Sequence, residues 1–484
     1  MAIISKIKSV DHRFHQATAS GLTMLFFIST LTAQNRIGEG EVVKLYNQHC
    51  AVCHGKDFNN GLGGSLLEDW NYVNTDNSVE DIIANGIAGI EMPQYKSLLT
   101  DEEIRSLAIL LDEKRHQHNT KDLSFPPERD AVFKTRHHSF RIETLASSPE
   151  GIFWAVDFLP DGTPLVTGFE GQLYVFGDGK LSQPVRGTPE VWRKGQGGLL
   201  DVGVHPDYDQ NGWIYLSYAE ELGSGVGTTS VVRGKIRNGK WVEEESIFQS
   251  TVEDSSKAGA HFGSRFVFDD GYLFFGIGDR GSMHDAQDIK VSNGKIHRIH
   301  DDGRVPDDNP FSNKTDAFKT IWSYGNRNPQ GLTKHPETGD LWESEHGPRG
   351  GDEINRIEKG KNYGWPVISY GMNYNGKPIT ALTKKEGMEQ PATHFTPSIA
   401  ICGTDFYIGD QFPAWNHHLF TGGLAAQELW RLETDGGKVV DRELVLKNQG
   451  RVRDVRASPD GYLYLILTRS KRAGGSDLCR LIPE

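Results

Sequence analysis

Cys50-Ala51-Val52-Cys53-His54 sets two thiols three positions apart, with an imidazole directly after them. Thiols at that spacing reach the two vinyl groups of a haem and form thioethers, and the adjacent His54 then stands as an axial iron ligand. Two other chemistries share the pair. A redox dithiol would use Cys50 and Cys53 alone, and a zinc site would use them as half its ligands. The zinc reading needs a second pair, and the other cysteines, Cys402 and Cys479, lie far along the chain. A sixth iron ligand is expected at Met92, in Gly89-Ile90-Glu91-Met92-Pro93, because Met/His is a standard axial pair in electron-transfer haem proteins.

Helices must position these groups. Glu41-Val42-Val43-Lys44-Leu45-Tyr46 reads as a helix with Val42, Leu45 and Tyr46 on one face. A second short helix is expected over 81–87. Thr100-Asp101-Glu102-Glu103 is a capping box that opens a third, with Ile104, Leu107, Ala108 and Leu111 on one side. With its motif, the stretch 38–114 resembles a small class I cytochrome c domain. Before it, Lys6, Lys8 and Arg13 precede an apolar run over 22–31 and a small-residue stretch to Ala33. That order predicts a signal peptide over 1–33 and a periplasmic product, with an uncleaved anchor as the alternative.

The remaining chain is long enough for at least one further domain: the total is 484 residues with 37% hydrophobic content. Lys+Arg 52 against Asp+Glu 65 leaves a net charge of −13, which argues against a general nucleic-acid binder. Residues 115–136, with Pro126-Pro127 and no clear period, read as a linker. Beyond it, 55 glycines and 21 prolines chain-wide suit many short strands. Apolar strands recur before turns whose acids fall at 161, 207, 270, 337, 410 and 460. Six copies, each with chain enough for four short strands, predict a six-bladed β-propeller over 137–484, an all-β unit beside the small all-α module. Counting leaves seven blades or another repetitive all-β fold open.

Long polar, Gly-rich loops interrupt the repeat, and their text is recognisable. Gln196-Gly197-Gly198-Leu199-Leu200, the AGAHFGSR of 258–265, Arg327-Asn328-Pro329-Gln330-Gly331, Glu345-His346-Gly347-Pro348, Asn362-Tyr363-Gly364-Trp365-Pro366 and Arg451-Val452-Arg453-Asp454 occur in that order. Together they resemble the soluble quinoprotein glucose and aldose sugar dehydrogenases, six-bladed propellers that use pyrroloquinoline quinone (PQQ) and calcium. The resemblance implies a catalytic base at His261, an arginine near the quinone carbonyl at Arg327, and a pocket acid at Asp352. It also implies cofactor contacts at Gln196, Asn328 and His346, and a pair gripping the cofactor's carboxylates at Arg451 and Arg453. Cofactor calcium would take the carbonyls of Gly347 and Pro348, and a structural calcium the side chains of Glu353 and Tyr363. The chemistry is consistent with those types: a neutral histidine is the usual base near pH 7, and arginine stabilises charge arriving on the quinone.

The chain departs from that pattern. The family's cofactor-binding lysine falls near Ala425, His346 stands where the glucose enzyme has glutamine, and His394 stands near a threonine position. The resemblance therefore points to an aldose sugar dehydrogenase-like enzyme that oxidises an aldose to a lactone. The alternatives are oxidation of a sugar-derived aldehyde or alcohol (sorbosone dehydrogenase-like), a calcium-dependent propeller lactonase, or a non-catalytic sugar binder. Fusion to a haem c module implies a route from sugar to quinone to haem, and on to an external cytochrome, copper protein or membrane oxidase. Export would permit a Cys402–Cys479 disulfide; two buried thiols are the alternative.

Overall fold

Short apolar strands broken by Pro-Asp and Asp-Gly turns cannot bury both faces alone, so they stack as radial sheets. The computed structural model describes residues 40–68, 78–121, 125–469 and 474–484; the expected leader over 1–33 lies outside the described residues. Six antiparallel sheets surround one axis. Their first strands in chain order are Phe153–Phe158, Leu199–Val204, Phe266–Asp269, Pro329–Lys334, Ile401–Phe406 and Arg451–Ala457. The sixth sheet closes the ring: C-terminal strand Ser476–Pro483 pairs with Ser139–Ser148, which in turn pairs with Phe133–Lys134. Closure at six leaves no strands for a seventh blade among the described residues. Cys479 lies buried on the closing strand and Cys402 is buried on the fifth blade, both as free thiols, so no disulfide joins them.

A repeated acid ties the blades together. Asp157 accepts from Val204 N (2.7 Å), Asp201 from Phe266 N (2.8 Å), Asp405 from Ala457 N (3.0 Å) and Asp454 from Val156 N (2.9 Å). Each carboxylate thus reaches the backbone of the next blade around the ring. Burial raises the Asp157 carboxyl to about 6, against the pull of Arg456. Arg265 balances part of the charge, at 2.9 Å from Asp201 and 3.2 Å from Asp454.

The N-terminal module contains α1 (Glu41–His49), α2 (Ala51–His54), α3 (Val79–Asn85) and α4 (Asp101–Thr120). The capping box at Thr100 and Glu103 is formed as expected; a second, at Ser78 and Asp81, starts α3 two residues before the expected 81. Helix α4 runs six residues past the expected boundary at 114, since 115–120 contain no glycine or proline. Val42, Tyr46, Ile83, Ile104, Leu107 and Leu110 form the module's core, which Met372 from a propeller loop completes. Module and propeller belong to one compact unit, Glu39–Glu484. Among the described residues, no helix is long and apolar enough to cross a membrane.

Candidate functional site

Loops that enter the inner strands on one end of the propeller bring most of the expected site residues together. His261 precedes the third blade's first strand, with a left-handed backbone at φ 54°. Gln196 anchors it there, accepting from His261 N at 2.8 Å from an exposed position on the neighbouring loop. His261 Nδ1 lies 2.6 Å from Asp279 Oδ1, and the Asp279 side chain is only 2% exposed. Gly281 N and Trp365 Nε1 also donate to that carboxylate, each at 2.8 Å. Burial would raise the Asp279 carboxyl, but the bonds from His261 and Gly281 and the Arg327 charge outweigh it and hold it below its ordinary range. A carboxylate on Nδ1 keeps the proton there and leaves Nε2 as the basic nitrogen. Burial pushes the His261 imidazole below its usual value; Asp279 opposes this, while Arg327 and Arg280 add to it.

Arg327 is buried, and its Nη1 donates to the carbonyls of His346 and Gly347, both at 2.9 Å. Glu345 accepts from the backbone of Arg327 (2.5 Å) and Asn328 (3.2 Å), fixing that turn. Asn328 Oδ1 accepts from Gly263 N at 3.3 Å, so its amide braces the His261 loop. His346 is held neutral, well below its ordinary value, by burial and then by Arg327, His261, Arg453 and Arg451. Five expected site residues therefore face one another across a single region.

Arg451 and Arg453 form no ion pair among the described residues, and Arg453 Nε has no hydrogen-bond partner. Burial lowers the Arg453 guanidinium to about 10, and it lies over the Trp154 ring at 4.4 Å. Two partly or fully buried guanidinia without a carboxylate leave a positive charge unmatched, and a polycarboxylate such as PQQ would match it. At the position of the expected lysine, Ala425 is exposed and donates its backbone N–H to Ile399 O at 2.9 Å. No cation stands there.

The expected calcium donors are arranged differently. Gly347 O is taken by Arg327, and the Tyr363 hydroxyl donates to Arg356 O (2.6 Å) and accepts from Glu358 N (2.8 Å). Glu353 lies with Glu343 and Glu345 around the Asn355 amide, which is 3.2–3.4 Å from one oxygen of each. Burial and mutual repulsion raise these carboxyls, Glu345 to about 7. Among the described residues, no group of three or more His, Cys, Asp or Glu side chains is set to hold a metal ion. Asp352, expected as a pocket acid, accepts from Gly347 N (2.9 Å), Ser398 Oγ (2.6 Å) and Ile401 N (2.9 Å), and so frames the 347–351 loop. His394 is not in the pocket: it stacks on Tyr370 at 4.0 Å, next to the N-terminal module, where burial lowers it to about 4.

In the module, a cavity of about 660 Å3 is lined by Cys50, Cys53, His54, Met92, Tyr46 and Leu107 among others. His54 Nδ1 lies 3.1 Å from Gly64 O, so Nδ1 can donate and Nε2 stays free as a ligand. Burial pushes the Cys50 thiol up to about 11, opposite to the depressed thiolate of a redox dithiol. A predominantly apolar pocket of this size, with both thiols, one oriented imidazole and one thioether on its wall, fits a haem.

The functional residue that the sequence reading missed is Asp279. Its signal was present: an acid in Gly278-Asp279-Arg280-Gly281, at the end of the strand that pairs with the one following His261.

A family model described as Glucose / Sorbosone dehydrogenase matches residues 148–476. Another, described as Cytochrome C oxidase, cbb3-type, subunit III, matches residues 40–111. The chain is 43% identical over 325 residues to the aldose sugar dehydrogenase YliI of Escherichia coli, covering 66% of this chain and 87% of that one. It is 27% identical over 354 residues to quinoprotein glucose dehydrogenase B of Acinetobacter calcoaceticus, covering 57% and 73%. The solved apo-form of the soluble Escherichia coli aldose sugar dehydrogenase superposes with TM-score 0.67 at 39% identity, over 71% of this chain and 100% of that one. The PQQ-bound form of a Streptomyces coelicolor aldose sugar dehydrogenase shares the fold, with TM-score 0.58 at 24% identity over 71% and 98%.

Proposed function

This chain belongs to the glucose/sorbosone dehydrogenase family and is a PQQ-dependent sugar dehydrogenase; from that premise we propose that it oxidises an aldose at its anomeric carbon to the lactone and delivers the electrons to a haem c held by its own N-terminal module. The observation that carries the reading is His261, oriented by Asp279 and lowered by burial and the Arg327 charge, with Arg451 and Arg453 acting on the neighbouring His346.

Bound PQQ supplies the acceptor for the hydride that leaves the anomeric carbon. The chain's own groups do the rest. Arg451 and Arg453 would hold the cofactor's carboxylates, and the matched charge would offset their burial. His261 takes the anomeric hydroxyl proton on Nε2, and the resulting imidazolium is stabilised through Nδ1–H by the Asp279 carboxylate. Arg327 would place positive charge beside the quinone. No step is routed through calcium; of its expected donors, Gly347 O accepts from Arg327 and the Tyr363 hydroxyl donates to Arg356 O. Cys50 and Cys53 would hold the haem by thioethers, and His54 and Met92 would supply the iron's protein ligands. The expected leader places the enzyme in the periplasm, where an external carrier would reoxidise it.

Reconstitution with PQQ and calcium, followed by assay over an aldose panel with a dye acceptor, tests the reaction. Aldose-dependent dye reduction is expected; no turnover on any aldose sinks the reading. Stopped-flow mixing of substrate with loaded, oxidised protein tests the relay. Haem reduction at a rate independent of protein concentration is expected, and a rate proportional to concentration defeats transfer within one molecule.

A further inference from the structure

We propose that Glu113, on helix α4 of the N-terminal module, is a positioning residue for the propeller's site: through a buried ion pair with Arg349 it holds the loop that carries the Gly347 and Pro348 carbonyls. Only the cofactor arm of the test below rests on the quinone reading.

The contact is two-pronged. Arg349 Nε lies 2.9 and 3.2 Å from the two Glu113 oxygens, and Nη2 lies 2.7 Å from Oε2. The side chains are 9% and 8% exposed, in a chain position 236 residues apart. The loop is short and stiff. Arg349 and Met372 exchange backbone hydrogen bonds at 2.9 Å each way, and Met372 is buried in the module's core. A Cβ at Gly347 would collide with the Gly351 carbonyl, so the turn has no slack. A Cβ at Gly350 would lie 3.3 Å from Ile109 of α4, so the helix packs flat on the turn.

On its inner side the same loop is held by Arg327, through the carbonyls of His346 and Gly347. It is therefore clamped between a site residue and a residue of the other module, two positions from Gly347. A buried ion pair adds little net stability, because desolvation offsets the attraction. What it supplies is orientation: the planar guanidinium accepts a carboxylate in one geometry. Without Glu113, Arg349 is left as a buried unpaired cation, its Nη1 already lacking a partner, and relief comes by turning the loop outward.

The test uses full-length, haem-matured protein, wild type and two variants. Glu113→Gln removes the charge with little change of shape; Arg349→Lys keeps the charge and loses the fork. Backbone hydrogen exchange is followed over 346–351 in protein without quinone, and PQQ affinity is measured by titration. Each variant should raise exchange over 346–351 by about tenfold or more and weaken PQQ binding by a similar factor, while exchange in Phe266–Asp269 and kcat at saturating PQQ stay near wild type. A general loss of stability would move both segments together and overturns the positioning role. A folded variant with wild-type exchange over 346–351 also overturns it. Should wild type bind no PQQ, the quinone reading fails, and the exchange arm still decides the role of Glu113.

Discussion

Asp279→Asn separates the base from its support, and its sign on pH is specific. The carboxylate lies 2.6 Å from His261 Nδ1 and is almost fully buried. Asparagine keeps the shape but loses the charge, and its one oxygen can accept either from Trp365 or from His261 and Gly281, not from both sides. A hydrogen bond to a charged group contributes about 1.5–3 kcal/mol, so a loss of about ten- to a hundredfold in kcat/KM is the minimum expected. The loss is larger if the new amide donates to Nδ1, because that moves the ring proton to Nε2 and blocks the base. Burial, Arg327 and Arg280 all lower His261, and Asp279 is the group that raises it. Removing the carboxylate lowers the imidazole further. The acid limb of kcat/KM, which marks protonation of the base, therefore moves to lower pH while the plateau falls. The assay is dye-linked aldose oxidation by PQQ-loaded wild type and variant from about pH 4.5 to 8. An acid limb that moves to higher pH, or a plateau within twofold of wild type, refutes the His261–Asp279 pair as the base.

Arg453→Met should weaken PQQ binding by about ten- to a hundredfold yet leave the quinone-free protein as stable or more so, since a buried cation without an ion pair is removed; parallel PQQ titration and thermal melts check both signs, and a destabilised apoprotein argues that Arg453 has a partner. Gly63→Ala should lower haem incorporation, because the new Cβ would lie 2.9 Å from His54 Cε1 and 3.2 Å from Cys53 Cβ; a haem-stained gel and the reduced absorbance band of matured protein are the readouts, and full occupancy counts against the His54 pocket. His297 is fully buried between Thr320 and Ser292 and is lowered by burial to about 3. Its folded value lies below its unfolded one, so its contribution is present above about pH 6.5 and is lost at about 1.4 kcal/mol per pH unit as pH falls toward 3. His297→Gln should flatten the fall in the urea midpoint between about pH 6 and 4 by up to that slope, and parallel curves for the two proteins would contradict it.

Local chemistry was legible in the sequence because it is carried by short spacing. The Cys-x-x-Cys-His motif needs one helical turn, the capping box at Thr100 needs four residues, and the six turn acids mark strands that each span a few residues. The inner-strand acids at 157, 201, 405 and 454 were also in plain view, inside the repeat, and their role emerges only when the next blade's N–H is placed beside each. His261, Arg327, His346, Arg451 and Arg453 could be named from motifs, but nothing in their spacing says that the other four come close enough to act on the His346 imidazole.

What only the tertiary structure decided involves contacts whose partners are set by strand pairing and module docking. Asp279 reaches His261 because the strand between them turns back, which no periodicity reports. The stretch at 115–120, read as linker, continues α4 because helix propensity there is not interrupted and the helix lies along the propeller loops, where Glu113 meets a residue 236 positions away. His394, near a family threonine position in the sequence, stacks on Tyr370 at the edge of the other module. Ring closure by Ser139–Ser148 against the C-terminal strand decided six blades over seven and separated Cys402 from Cys479. The physical reason is common to all of these: side-chain type and local period specify which backbone a segment prefers and which face it buries, whereas the partner across a cavity depends on the summed register, twist and closure of every blade in between.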